Sequence, residues 1–572
     1  MRILIFSPNA AIWPHEKPLL EYAQELIQRD HSVSVLRCER HFSDFCTAMS
    51  AFGLGFNSER NEKEKICQRC IRSAGYIDKF SGLESISLDN LNRFDELTSR
   101  YLAEITPENW WGFEIDSVPI GRYAGYEFVL HNKLNSNLIP LELFDEYLSS
   151  LRYSIEIYFY AKEFFAKNSF DSILVYNRLY SLNKVFCEVA EKFGVSTYTL
   201  HASGSIIDFF EKVSIFKDDL TALTINKSQK WKSVSDRPIG QMEVKSVTDH
   251  FKGLFGAASP WVYSTKPVGI SSRTLKAKVG AAPDSKVVLI ATSSVDEIFA
   301  IKMIGIDPVD IDAPTIFPSQ ADWIMSTIEF LRDFPDVFLI IRVHPREFAN
   351  KREGLNSSHG QHLKSLLQEV KHKNVYLNLP GDNLSLYDLL GATNLLLAGN
   401  SSAVPEFAAL GVPVLCHESR NLTAFPPELA YWSDTKNGYF NKIINLLESV
   451  NENEKAIQAF RWYSFKINII GEKTKFSSHW FNKIVFGIPR RIYSKFAFGI
   501  PLNWFWIPSR KLLKLGWEQK ANSNIESILD GDLEGTFVTN KYSINSSELE
   551  EVQLIQRAQS SLLSILNSQR SV

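Results

Sequence analysis

Two short stretches carry residue types that suit anion binding. The first is Arg342-Val343-His344-Pro345-Arg346-Glu347 and the second is Gly399-Asn400-Ser401-Ser402-Ala403-Val404-Pro405-Glu406. An arginine can clamp a phosphate through two N–H groups, a histidine ring can donate to a phosphate oxygen, and Pro345 stiffens the loop between them. Ser401 and Ser402 stand where a helix is expected to begin, with Pro405 in its first turn. The N–H groups and dipole of such a terminus face an anion. Glu406 lies one turn inside, where a carboxylate can accept hydrogen bonds from ribose hydroxyls. The plainer alternative makes Ser401 a helix cap and Glu406 a first-turn acid.

Both stretches need a scaffold. Residues 337–341 and 395–398 are unbroken apolar runs, as expected of strands covered on both faces in a parallel sheet. Ligands gather at the carboxyl ends of such strands. The same alternation supplies a strand at 286–291 ending in Thr292-Ser293-Ser294-Val295-Asp296-Glu297 and a Pro- and Asp-rich loop at 304–320. A helix at 321–334, a short strand at 375–377, a helix at 386–391 begun by Ser385 and a strand at 412–415 follow. The first residues of the chain alternate likewise, with a strand at 2–6, a polar loop at 7–16 containing His15 and Glu16, a helix at 18–29 and a strand at 32–36. No GxGxxG follows the first strand, so that loop need not hold a pyrophosphate. Residues 85–135 read as irregular, a packed loop on the acceptor side carrying Trp110, Trp111, Arg122, Tyr123 and Tyr126. A helix at 141–167, a strand at 171–176 ending in Asn177-Arg178, a helix at 182–193 and a strand at 195–200 ending at His201 complete the first half.

The expected fold is therefore α/β, with two doubly wound Rossmann-like domains in tandem. The expected divisions are an acceptor-side domain over 1–270, a nucleotide-donor domain over 271–450, a cross-over and basic aromatic segment over 451–520, and a linker with a terminal helix over 521–572. A chain of 572 residues is too long for one core. A net charge of −3 argues against a nucleic-acid binder. No apolar run approaches the roughly 20 residues that span a bilayer. The expected location is cytoplasmic, peripheral on the inner face of the cell membrane.

Three further features stand apart. Cys38, Cys46, Cys67 and Cys70 fall within 33 residues, the last two as a CxxC. They read either as a structural zinc site or as four free thiols. Residues 473–517 hold nine Lys or Arg, no Asp or Glu, and eleven aromatics, and Phe-Gly-Ile-Pro occurs at both 486–489 and 498–501. That composition suits an anionic membrane interface, or a basic cross-over packed on the first domain. Ser547-x-x-Glu550 is a capping box before a helix with Leu549, Val552, Ile555, Gln559, Leu562 and Leu566 on one stripe. That helix can dock on its own chain or pair with another copy.

Taken together, the His344-Pro345 loop, the Ser401-Ser402-x-x-x-Glu406 loop, Thr292-Ser293-Ser294-x-Asp296-Glu297 and Asn383-x-Ser385-Leu386-Tyr387-Asp388-Leu389 resemble bacterial surface-polysaccharide enzymes of the GT-B architecture. Capsule polysaccharide synthesis proteins, including 3-deoxy-manno-octulosonate (Kdo) transferases, are the nearest in pattern. GT-B sialyltransferases and CDP-glycerol glycerophosphotransferases follow. The likeness covers residues 286–420 best. It implies a glycosyltransferase that moves a sugar from a nucleotide-sugar donor to a glycan or lipid-linked glycan. It further implies a donor site made of Arg342, His344, Arg346, Ser385, Ser401, Ser402 and Glu406. Catalytic candidates are His15, with Glu16 as an alternative base, and Asp296 and Glu297 opposite. Arg122, Arg178 and His201 are candidates for the acceptor side. Transfer without a cofactor is expected. A glycerol- or ribitol-phosphate transferase, a nucleotide-sugar epimerase and a non-catalytic nucleotide-sugar-binding partner in a glycan-assembly complex are the competing readings.

Overall fold

A computed structural model describes residues 1–81, 83–203, 205–206, 212–218, 224–257, 264–306, 315–349, 354–370, 372–399, 401–417, 425–449, 453–473, 524–537 and 546–568. Asn400, part of the 304–320 loop and nearly all of the basic aromatic stretch, with its repeat, lie outside the described residues.

The first sheet contains β1 (Arg2–Phe6), β2 (Ser32–Arg37), β3 (Glu84–Ser87), β4 (Ser172–Tyr176), β5 (Ser196–Ser203) and β6 (Lys212–Phe216). The second contains β7 (Lys286–Ala291), β8 (Val337–Arg342), β9 (Val375–Asn378), β10 (Leu395–Ala398), β11 (Val414–Cys416) and β12 (Tyr431–Trp432). The chain then returns, and β13 (Glu472–Lys473) joins the far edge of the first sheet. Strand orders are β13-β6-β5-β4-β1-β2-β3 and β12-β11-β10-β7-β8-β9. The second sheet is parallel throughout; the first is parallel from β5 to β3, with β6 and β13 antiparallel at its edge. These are two doubly wound sheets, as the apolar runs predict. Side chains of β7 divide by parity: Val287 and Leu289 enter one core, Val288 and Ile290 the other. Helices must therefore cover both faces, and that is why the run has no polar alternation.

Each sheet reverses direction at one point, between β1 and β4 in the first and between β7 and β10 in the second. A crevice opens outside the carboxyl ends there. Residues 7–12 and 177–180 flank the first crevice; residues 292–294 and the Ser401 loop flank the second.

Two readings change, and a third follows one of the alternatives left open. The 85–135 region is ordered, with helices Asp95–Ala103 and Ile120–Asn132. Its aromatic and glycine content reflects tight packing: a Cβ on Gly121 would sit 2.0 Å from the Trp110 carbonyl oxygen. Residues 524–537, expected to be linker, belong to the first domain, where Ile525, Ile528 and Leu529 enter its core. The terminal helix Glu548–Ser568 docks on its own chain, held by a buried Arg461–Glu551 ion pair at 2.6 Å.

Two seams join the halves. Helix Val295–Met303 sends Ala300 and Met303 into the core of the first domain, beside helix Ile120–Asn132. The cross-over helix Glu454–Ser464 continues into a π-turn, Phe465–Ile469, where the Lys212 ammonium donates to the Ile467 carbonyl.

Candidate active site

The loop after β8 is held from several directions. His344 N–H donates to the Thr292 hydroxyl at 2.8 Å, which ties it to the loop after β7. The His344 Nδ1 accepts the Arg346 N–H at 3.3 Å, so the ring proton resides on Nε2. Burial pulls the His344 pKa down to about 4, helped by Arg346, Arg342 and Lys133 and opposed by Asp296. At neutral pH this ring is an uncharged N–H donor.

The arginines beside it are committed to protein partners, against the expectation that they meet a donor. Arg346 is buried and grips Asp296 through Nε at 2.9 Å and Nη2 at 2.8 Å, and donates to the Leu130 carbonyl at 2.8 Å. Asp296 also accepts from Ser294 Oγ at 2.6 Å. It is therefore a strut and not a base; a buried guanidinium at a domain seam requires such a counter-ion. Glu297, partly exposed, stands 3.7 Å from Arg346 Nε. Arg342 donates to Asn378 Oδ1 at 2.5 Å and to the Leu384 carbonyl at 2.8 Å, which positions the neighbouring loops. Ser385 caps the helix Leu386–Leu390 in a reciprocal box with Asp388, and this accounts for its burial.

The Ser401 loop keeps more freedom. Ser401 Oγ accepts the Ala403 N–H at 3.3 Å, and Ser402 is exposed. The helix they open, Ala403–Ala409, has seven residues, too few for a strong dipole, so the expected anion site rests on side chains. Glu406 is buried, accepts from Tyr387 Oη at 3.2 Å and from the Ser402 hydroxyl, and burial raises its pKa to about 7.

Around Glu406 lie residues that sequence reasoning missed. Lys466, in the π-turn, is open to solvent, yet desolvation lowers its pKa while Glu406 opposes the shift. His250 is pulled down to about 3 by burial and by Lys466. Its ring lies 5.1 Å from that of Tyr463, and its Nδ1 accepts the Ile206 N–H at 3.2 Å. Electrostatic coupling thus links His250, beside the residues just past β5, through Lys466 to Glu406 at the carboxyl edge of the second sheet. A π-turn, a known mark of functional positions, was the missing signal, and no residue pattern announces one.

On the first sheet, His15 lies in the first turn of helix Trp13–Gln28, which starts earlier than expected because Pro14 suits that turn. Its ring stacks on Tyr176 at 4.1 Å and lies 6.0 Å from Tyr180. Burial, with His201 nearby, pulls His15 down to about 3; His201, inside β5, falls to about 4. The two neutral imidazoles flank Tyr176. Glu16 is removed from the list of bases: it is buried and pairs with Arg37 at 2.7 Å. Arg178 is likewise a strut, bound to Glu191 at 2.6 Å, Glu188 at 3.0 Å and Thr197 at 2.5 Å. Arg122 stays half-buried, 3.8 Å from Glu114.

Among the described residues no group of three or more His, Cys, Asp or Glu is already arranged to hold a metal ion. No helix among them is long and apolar enough to cross a membrane. A cavity of about 230 Å³ sits at the amino edge of β11, lined by Val412, Pro413 and Tyr431. It lies off the cleft.

No protein-family model and no curated protein matches the sequence. Solved structures of similar architecture include the Thermosulfurimonas dismutans beta Kdo 2,4 transferase KpsC, at 12% identity over 51% of this chain and 79% of that one, TM-score 0.30. Arabidopsis thaliana UGT89C1 complexed with UDP shares 13% identity over 82% and 95%, TM-score 0.28. Neisseria meningitidis UDP-GlcNAc 2-epimerase bound to UDP-GlcNAc shares 12% over 81% and 97%, TM-score 0.26. At TM-scores no higher than 0.30 these likenesses decide nothing about chemistry.

Proposed function

We propose that the chain is a glycosyltransferase that binds a nucleotide-sugar donor at the β7–β8–β10 loop ends and a glycan or lipid-linked glycan acceptor against the first sheet. The observation that carries this reading is the pair of switch points on two separate doubly wound sheets, with His344 and Glu406 at the carboxyl edge of the second. His344 serves as an uncharged donor to a phosphate oxygen, with Ser401 and Ser402 beside it. Glu406 receives sugar or ribose hydroxyls and Lys466 meets phosphate charge; no metal is required. His15 accepts the acceptor's hydroxyl proton as the nucleotide leaves. Its resting pKa makes it a weak base, and incoming phosphate charge raises that pKa. The basic aromatic stretch would hold the enzyme at the inner face of an anionic membrane, near a lipid-linked surface or capsule glycan.

A thermal-shift screen against CMP-, UDP-, GDP- and CDP-linked sugars tests the donor site, since a ligand that binds only the folded state raises Tm. One nucleotide class should stabilise the protein, and His344→Ala should remove most of the shift. No stabilisation by any of the four would sink the assignment. Interconversion of the free nucleotide sugar without any acceptor would instead show an epimerase.

A further inference from the structure

The four clustered cysteines are not absorbed by the cleft chemistry. They arrive from three elements. Cys38 follows β2, Cys46 is the residue before helix Thr47–Ala51, and Cys67 and Cys70 lie three apart, hence on one face, in helix Arg60–Ser81. All four line one cavity of about 20 Å³, with Pro8, Arg40, Phe42, Ala48 and Ile66 completing the wall. That volume admits a single atom-sized guest and no organic ligand. The two remaining cysteines, Cys187 and Cys416, are buried in other cores.

One backbone donor already reaches a sulfur. The Ala11 N–H donates to Cys70 Sγ at 3.2 Å. Arg40 stands at the wall, paired with Glu64 at 3.0 Å. Neutral thiols gain little from such N–H donors, whereas metal-bound thiolates are held and oriented by them.

We propose that Cys38, Cys46, Cys67 and Cys70 form a tetrahedral thiolate site for one zinc ion, which staples helix Arg60–Ser81 to the segment after β2, beside the loop after β1. The sulfurs wall the cavity without yet standing as a ligand set, so binding draws them inward by side-chain rotation. Zinc replaces four thiol protons, which pass to solvent, and leaves a site of charge −2 toward which the Ala11 N–H already points. Because Ala11 and Pro8 belong to the loop leading into His15, the staple fixes that loop. This inference does not depend on the glycosyl-transfer reading.

Elemental analysis of the full chain, purified without chelator, should find about one zinc per chain. Cobalt added to the reduced, metal-stripped protein should give the visible ligand-field bands of a tetrahedral thiolate site. Cys67→Ser/Cys70→Ser should lose the metal at least about tenfold and lower Tm. The cobalt spectrum of the unmutated chain needs no variant to fold. Zinc well below stoichiometric with no cobalt bands, iron with inorganic sulfide, or a disulfide among the four by mass spectrometry would each overturn the proposal.

Discussion

At the seam beside β8, Arg346, Asp296 and Lys133 are buried and every visible partner is a protein group. The Lys133 ammonium donates to the carbonyls of Arg346, Phe348 and Leu355, the last at 2.6 Å, while Arg346 returns a bond to the Leu130 carbonyl. At the cleft, Glu406 and Lys466 are also opposite charges, but the carboxyl is pushed up to about 7 and the ammonium is pulled down. Close geometry offsets the desolvation of the seam charges. The cleft charges are held in a desolvated place where neither ionic form is fully satisfied, and strained ionisation of this kind accompanies binding and catalysis. A buried charge with a close ionic partner marks architecture; one whose ionisation burial has displaced marks chemistry.

The strongest way to break this contrast is at the seam. Asp296→Ala leaves the Arg346 guanidinium buried without its carboxylate and should cost roughly 3–5 kcal/mol in denaturant unfolding. A loss under about 1 kcal/mol would show that Asp296 is not a strut, and would return it to the catalytic candidates.

Next is Glu406→Gln, compared with the unmutated protein across pH. The folded-state pKa of Glu406 lies above the unfolded value of 4.5, so its favourable contribution is complete below 4.5 and is lost as pH rises through about 7. The variant should therefore gain stability relative to the parent between about pH 5 and pH 8, by on the order of 3 kcal/mol. A pH-independent difference would mean that the carboxyl is not strained.

Lys133→Met strips three carbonyls of their ammonium and should cost about 2 kcal/mol. It should also loosen the seam, seen as faster amide exchange at the end of helix Ile120–Asn132. Unchanged exchange there would locate the coupling in the Met303 contact instead.

Lys466→Met has the smallest effect on folding, within about 0.5 kcal/mol, because its side chain reaches solvent. Its effect should appear in donor KM, raised on the order of tenfold. Equal KM with lower stability would move Lys466 to the architectural side of the comparison.

Much of the scaffold was legible in the chain itself. Unbroken apolar runs such as Val337–Arg342 declare strands covered on both faces, and their alternation with helices declares parallel sheets. His344 and Glu406 were legible as strand-end polar groups because the carboxyl edge of such a sheet is where polar groups collect. Position along a strand end, however, does not reveal direction. Arg346, Arg178 and Glu16 have the same composition signature as site residues and prove to be struts. Burial at a helix or domain seam forces each to find a counter-ion.

The sequence by itself determined the two sheets, their ligand-binding edges and the clustering of four cysteines, since these follow from local periodicity and spacing. Only the tertiary structure decided which charges are free to meet a substrate. The Arg346 guanidinium meets a carbonyl 216 residues away, and the Lys133 ammonium meets carbonyls 213 to 222 residues away. Coulombic pairing in a low-dielectric seam depends on distance in space, and no local pattern carries that distance.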